Sequence, residues 1–276
     1  MIKTISCNNK NYITKIEFFL EKRRKEEKFN TKFVSNIIND VKKNKVKALL
    51  KFEKRFSKNK NIKPTKTQIK NTIKKLDPKV KKAIDFAYYR ILKFHSKQLK
   101  YLKNIIYKDR FSNKLEYKNI PIEAVGIYVP GNLPSTLLMN SIPAKLAKVK
   151  RLVLATPKIN GNLNPAVLYA AKKVGIKEIY SFGGAQAIAS LAYIQKVNKV
   201  VGPGNKFVAE AKRQLAGKII GTESMFAGPS EICVLADKNS DIDQVATSLI
   251  SQAEHDPDSQ CILVTKDKNL ISKVKK

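Results

Sequence analysis

The chain has 276 residues, 43% of them hydrophobic and 28% charged, a balance typical of globular proteins rather than disordered ones. Its apolar runs are shorter than the roughly 20 residues that a membrane-spanning helix requires, and its N-terminus lacks the apolar stretch of a secretory signal. Three widely spaced cysteines without a CxxC pair argue against a disulfide framework, so we expect a soluble cytoplasmic protein with no membrane partner.

The net charge of +33 would ordinarily indicate a nucleic-acid partner. Only seven of the 55 basic residues are arginine, although arginine is the preferred reader of bases and phosphates. Residues 1–120 carry 35 of the basic residues and ten of the acidic ones, whereas every chemical motif found below lies after residue 120. We therefore interpret the lysines as a solvated surface and expect no nucleic-acid partner.

The first 107 residues are predicted to be largely helical. Apolar residues recur at helical spacing, with lysines between them, over residues 14–58 and again from about 67 to 107. The segment 60–64 separates the two blocks. His95 lies in the second block, where we expect a half-buried packing residue.

From residue 122 onward, strand patterns alternate with helix patterns. Strands are predicted at 122–129, 151–156, 178–182, 199–201, 231–236 and 261–265, and helices at 135–148, 166–174, 185–193, 206–215, 242–254 and 269–276. Strands that alternate with helices at this spacing indicate crossover connections and a parallel sheet. The sequence stops at Lys276 inside the last predicted helix, which we interpret as an interruption.

Four turns follow predicted strands and carry glycine together with a polar side chain. They occupy residues 128–131, 182–186, 202–205 and 227–231. Ligands of parallel sheets bind at the carboxyl ends of the strands, where such turns present backbone N–H groups. None of the four is a Gly-x-Gly-x-x-Gly fingerprint or a Walker loop, so the standard dinucleotide and phosphate motifs are absent.

A second candidate site lies in the sequence Ser-Gln-Ala-Glu-His-Asp-Pro-Asp at 251–258. Gln252 and His255 are three residues apart near a helix end and share one face. An imidazole and a carboxamide oxygen can both bind a transition metal. The alternative is a helix that ends before Pro257 with a polar cap, and the spacing leaves both interpretations open.

The motifs of residues 122–265 together resemble the histidinol dehydrogenase family. They include Gly-Ile-Tyr-Val-Pro-Gly at 126–131, Gly-Gly-Ala-Gln-Ala-Ile at 183–188, Val-Gly-Pro-Gly-Asn at 201–205, Ala-Gly-Pro-Ser-Glu-Ile at 227–232 and the 251–258 segment. They occur in the family's order, whereas the first 120 residues match only in helical character.

The resemblance implies an NAD-dependent, zinc-containing homodimer that oxidises L-histidinol through L-histidinal to L-histidine, the last steps of histidine biosynthesis. Motif by motif, Tyr128, Gln186 and Asn205 would contact NAD. The substrate would contact Ser230, Gln252 and His255, and Gln252 and His255 would also bind zinc. The family's Glu–His acid/base pair and its other zinc ligands, an Asp and a His, would lie beyond Lys276, so no catalytic residue is assigned in this chain.

The fold class predicted on this basis is α/β, with incomplete Rossmann-like parallel-sheet domains preceded by a lysine-rich helical N-terminal region. The resemblance divides the chain into an N-terminal arm at 1–22, a discontinuous first α/β domain at 23–126 plus 230–276, and a second Rossmann-like domain at 127–229. We favour a partial chain or split coding region of a histidinol dehydrogenase. A catalytically dead remnant of the family and a basic nucleic-acid-binding protein stay open as alternatives.

Overall fold

The computed structural model describes residues 3–8, 10–24, 31–223, 231–254 and 259–275. The chain forms two compact units: the larger comprises Asn30–Phe226, and the smaller combines Met1–Phe29 with Ala227–Lys276. The division predicted from the resemblance, with boundaries at 22/23, 126/127 and 229/230, remains a prediction. No helix in the described ranges is both long enough and apolar enough to cross a membrane.

The larger unit begins with helices. The first helix of the chain, α1 (Tyr12–Arg24), belongs to the smaller unit. The helices of the larger unit are α2 (Thr31–Ser57), α3 (Lys66–Ile73) and α4 (Pro78–Ser96), followed by a short 3-10 helix, Lys97–Leu102. Within the described residues, the predicted helical blocks are thus confirmed up to residue 102. His95 is half-buried as predicted, and its Nδ1 lies 2.7 Å from Gln98 Oε1.

A β-hairpin replaces the end of the second predicted helical block. Strands β1 (Ile105–Lys108) and β2 (Lys114–Tyr117) pair antiparallel, so the prediction of helix as far as residue 107 was wrong. The segment Ile105–Tyr107 is rich in β-branched and aromatic side chains, which favour strands. Asp109 then organises the turn, because its Oδ1 accepts hydrogen bonds from the backbone N–H groups of Phe111 and Asn113 at 2.8 Å each.

A four-stranded parallel sheet forms the centre of the larger unit. Its strands are β3 (Ala124–Tyr128), β4 (Arg151–Ala155), β5 (Glu178–Tyr180) and β6 (Lys199–Val201), in the spatial order β5-β4-β3-β6. The connecting helices are α5 (Pro134–Leu146), α6 (Pro165–Val174) and α7 (Gly184–Tyr193), and α8 (Lys206–Leu215) follows β6. The predicted crossover units and the parallel sheet are confirmed.

The core lies between the sheet and its helices. Ile127 and Leu154 are fully buried at its centre, and residues of α5, α6 and α4 complete this apolar layer. Helix α7 packs beside the sheet against α2, and Leu191 of α7 lies so close to Gly126 that a Cβ atom there would come within 3.0 Å of it. A mixed α/β fold with a lysine-rich helical region before the sheet is therefore confirmed.

The smaller unit contains a second parallel pair of strands. β7 (Glu231–Ala236) pairs with β8 (Gln260–Thr265), with α9 (Ile242–Ala253) between them and α10 (Lys268–Val274) after them. The apolar neighbours of Cys233 and Cys261 predict that both cysteines are buried. That prediction was wrong, because Cys233 is exposed and Cys261 half-buried: side chains alternate across β7, and those of Glu231, Cys233 and Leu235 lie on its exposed face.

Candidate functional site

Three of the predicted site residues lie at or just after the carboxyl ends of three strands of the four-stranded sheet. Tyr128 is the last residue of β3, Gln186 lies in the first turn of α7 after β5, and Asn205 precedes α8 after β6. Parallel strands end at the same edge of a sheet, and all three residues lie at that carboxyl edge. This edge, with the turns 128–131, 183–186 and 202–205, is called the carboxyl edge below.

Tyr128 connects the first two turns. Its side chain is 5% exposed, and its hydroxyl oxygen accepts a hydrogen bond from the backbone N–H of Gly184 at 3.4 Å. Burial raises the pKa of the Tyr128 hydroxyl to about 12, so the group is neutral at physiological pH and can donate as well as accept. The end of β3 therefore lies directly beside the turn that carries Gln186.

Gly202 brings the third turn against the same strand. Its backbone has φ 110°, and a Cβ atom at this position would lie 1.9 Å from the carbonyl oxygen of Tyr128. Only glycine allows so close an approach of two backbone segments. The register agrees with this contact, since Ile127 is paired with Val201 immediately before these two residues.

Lys212 of α8 is hydrogen-bonded to this turn. Its ammonium group is buried and donates hydrogen bonds to the carbonyl oxygen of Gly202 and to Glu223 Oε1, the latter at 2.5 Å. Burial lowers the pKa of Lys212, while the ion pair with Glu223 opposes that change. The lysine thus holds the Gly202 carbonyl in place from the helix side.

Asn205 has a structural function as well as a predicted ligand contact. Its Oδ1 accepts hydrogen bonds from the backbone N–H groups of Phe207 and Val208, at 3.2 Å each, and so caps α8. The residue is exposed. With the oxygen engaged by the cap, the NH₂ group is the part of this side chain suited to donate to a ligand.

Gln186 is hydrogen-bonded to Glu53, a residue that the sequence patterns did not single out. Gln186 is 3% exposed, and its Nε2 donates to Glu53 Oε1 at 2.8 Å. The same carboxylate oxygen accepts the backbone N–H of Gly183 at 3.0 Å. Burial raises the pKa of Glu53, because the carboxylate is 1% exposed.

A sequence signal for Glu53 exists. Helix α2 carries its buried apolar side chains at helical spacing, and Glu53 occurs on that face, four residues after Leu49 and next to Phe52. An acidic residue on an apolar helix face is uncommon, since burial of a charge is costly without hydrogen-bond partners. Lys212 gives the same signal on α8, where it follows the buried Ala211.

The residues predicted to contact the substrate and zinc all lie in the sequence range 227–276 of the smaller unit. Ser230 and His255 lie outside the described residues. Gln252 lies in the last turn of α9, and its Nε2 is buried without a hydrogen-bond partner among the described residues. A buried amide with an unused donor is suited to a polar ligand.

The residues predicted to bind zinc do not form a complete site by themselves. Within the described ranges, no three His, Cys, Asp or Glu side chains are grouped so that they could hold a metal ion. Gln252 and His255 would supply two neutral ligands, whereas zinc sites in enzymes use at least three protein ligands. The two donors that the resemblance assigns, Gln252 and His255, are therefore too few for a tightly held zinc ion.

Comparison with known proteins identifies what this architecture is similar to. The family model described as histidinol dehydrogenase matches residues 20–276. A histidinol dehydrogenase of Pelagibacter ubique is 54% identical over 281 residues, which cover 99% of this chain and 65% of the relative. A histidinol dehydrogenase of Caulobacter vibrioides is 42% identical over 265 residues, covering 92% of this chain and 60% of the relative.

A solved structure agrees with the sequence relatives. The crystal structure of histidinol dehydrogenase from Elizabethkingia anophelis superposes with a TM-score of 0.79 at 37% identity, over 91% of this chain and 59% of that one. The chain thus spans about three fifths to two thirds of the length of the proteins that it matches.

Proposed function

Because the chain belongs to the histidinol dehydrogenase family, we propose that it takes part in the NAD-dependent oxidation of L-histidinol, through L-histidinal, to L-histidine. The observation that carries the proposal is the family match, which runs through every motif of residues 122–265. A basic nucleic-acid-binding protein and a catalytically dead remnant were the alternatives, and the comparisons give no support to either.

We propose that NAD binds at the carboxyl edge and contacts Tyr128, Gln186 and Asn205. When bound, NAD accepts a hydride in each of the two oxidations. The chain supplies the binding groups: a neutral phenol at Tyr128, a carboxamide at Gln186 and an exposed side-chain amide at Asn205. The turns 183–184 and 202–204 contain glycine, which allows the backbone to approach a ligand closely.

We propose that the substrate contacts Ser230, Gln252 and His255, and that Gln252 and His255 are the zinc ligands of this chain. Their two neutral donors bring no negative charge to offset a divalent cation, so they would not retain zinc without further ligands. No proton-transfer residue is proposed within the 276 residues, because the family's Glu–His pair matches no position here.

Further parts of the proposal concern the assembly and the location of the protein. The resemblance favours a homodimer with the domain division 1–22, 23–126 plus 230–276, and 127–229. The three widely spaced cysteines favour the cytoplasm. A biosynthetic role and the lack of a membrane-spanning helix in the described ranges are compatible with this location.

The reaction itself can be tested with a fusion protein. The 276 residues would be joined to the part of the Pelagibacter ubique relative that they do not cover, and NADH formation would be followed with and without L-histidinol. We expect histidinol-dependent formation of two NADH per histidine produced. The part of the relative that is used in the fusion, expressed alone, serves as the control and should be inactive. A folded fusion that oxidises other alcohols but not histidinol would contradict the proposal.

A further inference from the structure

The carboxylate of Glu53 is placed where it can decide which way the Gln186 side chain points. A carboxylate only accepts hydrogen bonds, so the atom of Gln186 that faces Glu53 has to be the donor Nε2. The carbonyl oxygen Oε1 is then directed to the other side. There it lies beside Gly184, where a Cβ atom would come within 2.9 Å of it.

The contacts of Glu53 converge on one turn. Its Oε1 accepts from both Gly183 N and Gln186 Nε2, while Oε2 lies 3.5 Å from Asn59 Nδ2. Asn59 Nδ2 also donates to the carbonyl oxygen of Ser181 at 2.5 Å. Glu53 and the residues after α2 therefore fix the backbone from 181 to 183 together with the side chain of 186.

Glu53 forms no ion pair with a basic group in the described part of the chain, and its contacts are hydrogen bonds. A basic group joins this network indirectly, because Lys158 Nζ donates to Asn59 Oδ1 at 2.9 Å. The other titratable group facing the site is the buried hydroxyl of Tyr128, whose pKa the charge of Glu53 helps to raise. Burying a carboxylate without an ion-pair partner is costly, and at Glu53 only hydrogen bonds offset that cost.

We infer that Glu53 is a positioning residue for nucleotide binding: it fixes the Gln186 carboxamide with its oxygen available to accept a hydrogen bond from a hydroxyl or amino group of the nucleotide. This inference rests on the proposed NAD site at the carboxyl edge. Glu53 itself does not contact the ligand, and its effect is transmitted through Gln186 and Gly183.

The first test measures NAD affinity by isothermal titration calorimetry on the 276-residue chain and its variants. In Glu53→Gln, the new carboxamide can rotate so that its NH₂ group faces the N–H of Gly183 and the NH₂ group of Gln186. The Gln186 carboxamide is then free to rotate as well, and its oxygen is no longer held toward the ligand. We expect a roughly tenfold or greater rise in Kd, because NAD must then also fix the Gln186 carboxamide, at a cost comparable to one hydrogen bond to a charged group. The matched control is Glu210→Gln, which removes another buried carboxylate that pairs with Arg213, and Kd should be unchanged.

A double variant separates orientation from general damage to the fold. In Glu53→Gln with Gln186→Glu, donor and acceptor are exchanged, and residue 186 again presents an oxygen to the ligand. We expect the double variant to recover part of the affinity lost in Glu53→Gln. Equal affinity of wild type and Glu53→Gln, or a double variant no better than the sum of its single changes, would overturn the inference.

A second readout does not need NAD. In ¹H–¹⁵N spectra, the side-chain amide signals of Gln186 should shift as Glu53 titrates, with a midpoint above the ordinary value of a glutamate, and this titration should vanish in Glu53→Gln. If the wild type fails to bind NAD, the proposed function fails, while a Gln186 titration would still support the orienting contact. If NAD binds but the chemical shifts of the Gln186 side chain do not change with pH, the inference about Glu53 is wrong and the proposed NAD site is unaffected.

Discussion

Gly202 has a backbone conformation with φ 110°, and the position of a Cβ atom there lies 1.9 Å from the carbonyl oxygen of Tyr128. In Gly202→Ala, either the β6–α8 turn or the end of β3 has to move. We expect a loss of about 3 kcal/mol or more in the free energy of unfolding, from the left-handed backbone and the overlap together. Denaturant unfolding followed by circular dichroism measures this loss.

Gly217→Ala is the matched control for Gly202→Ala. Gly217 also has a positive φ, 70°, but a Cβ atom there would meet nothing within 4 Å. Its cost should be limited to the backbone term of about 1–2 kcal/mol. Equal losses in the two variants would show that the close approach of Gly202 to Tyr128 does not exist in solution.

The residues at the carboxyl edge differ in how readily the sequence alone identifies them. Tyr128, Gln186 and Asn205 belong to glycine-containing turns directly after strand patterns, so local sequence was sufficient to select them. Glu53 is 133 residues away from Gln186 along the chain, and only the packing of α2 against α7 brings them together. Local patterns carry no information about such a contact, although an acid on an apolar helix face is a warning sign.

At the scale of elements, the caps of α6 and α8 offer a comparison that separates stability from binding. Asn164 and Asn205 both cap a ten-residue helix through Oδ1. Asn164→Ala should lower the free energy of unfolding by about 1 kcal/mol and leave NAD affinity unchanged. Asn205→Ser should keep most of the cap, since serine caps well, but weaken NAD binding because the carboxamide is lost.

Thermal unfolding and calorimetric titration measured on both asparagine variants decide this prediction. If Asn164→Ala weakens NAD binding as much as Asn205→Ser does, the effect is a general loss of order at helix N-termini. If Asn205→Ser binds NAD normally, Asn205 is only a cap and leaves the list of cofactor contacts.

The elements after residue 122 could be predicted because the strands and helices are short and strongly patterned, and several of them, such as β3, β5 and α6, are closely followed by glycine or proline. For β6 and α8 the predicted and observed bounds are identical. The β1–β2 hairpin was missed because Ile105–Tyr107 continues the apolar spacing of the preceding helix. A strand and a helix segment of three or four apolar residues have the same pattern, and the pairing with residues 115–117 decided between them.

At the scale of the whole molecule, the ligand count predicts weak zinc binding by a polypeptide of these 276 residues. Gln252 and His255 offer two neutral donors, too few for a retained zinc ion. After dialysis, metal analysis should find well under one zinc per chain, and a chelator should remove the remainder. Stoichiometric, chelator-resistant zinc would mean that His95 or a carboxylate outside this pair completes the site.

The alternation of strand and helix patterns after residue 122 predicted the parallel sheet, and the resemblance added incomplete Rossmann-like domains, both from little more than half of the chain. The resemblance could not give the orientation of side chains within the carboxyl edge, because that depends on contacts from α2, where the sequence offered no recognised motif although the family model covers this helix too. The domain boundaries also stay a prediction, since the two compact units, Asn30–Phe226 and Met1–Phe29 with Ala227–Lys276, are defined by contacts within this chain.

The central claim is that NAD binds at the carboxyl edge, and an NMR titration of the 276-residue chain with NAD tests it most directly. We expect saturable shifts in the backbone amide signals of the turns 128–131, 183–186 and 202–205, with little change in the β1–β2 hairpin. Saturable shifts confined to other segments, or no shifts at NAD concentrations that saturate the fusion protein, would contradict the claim.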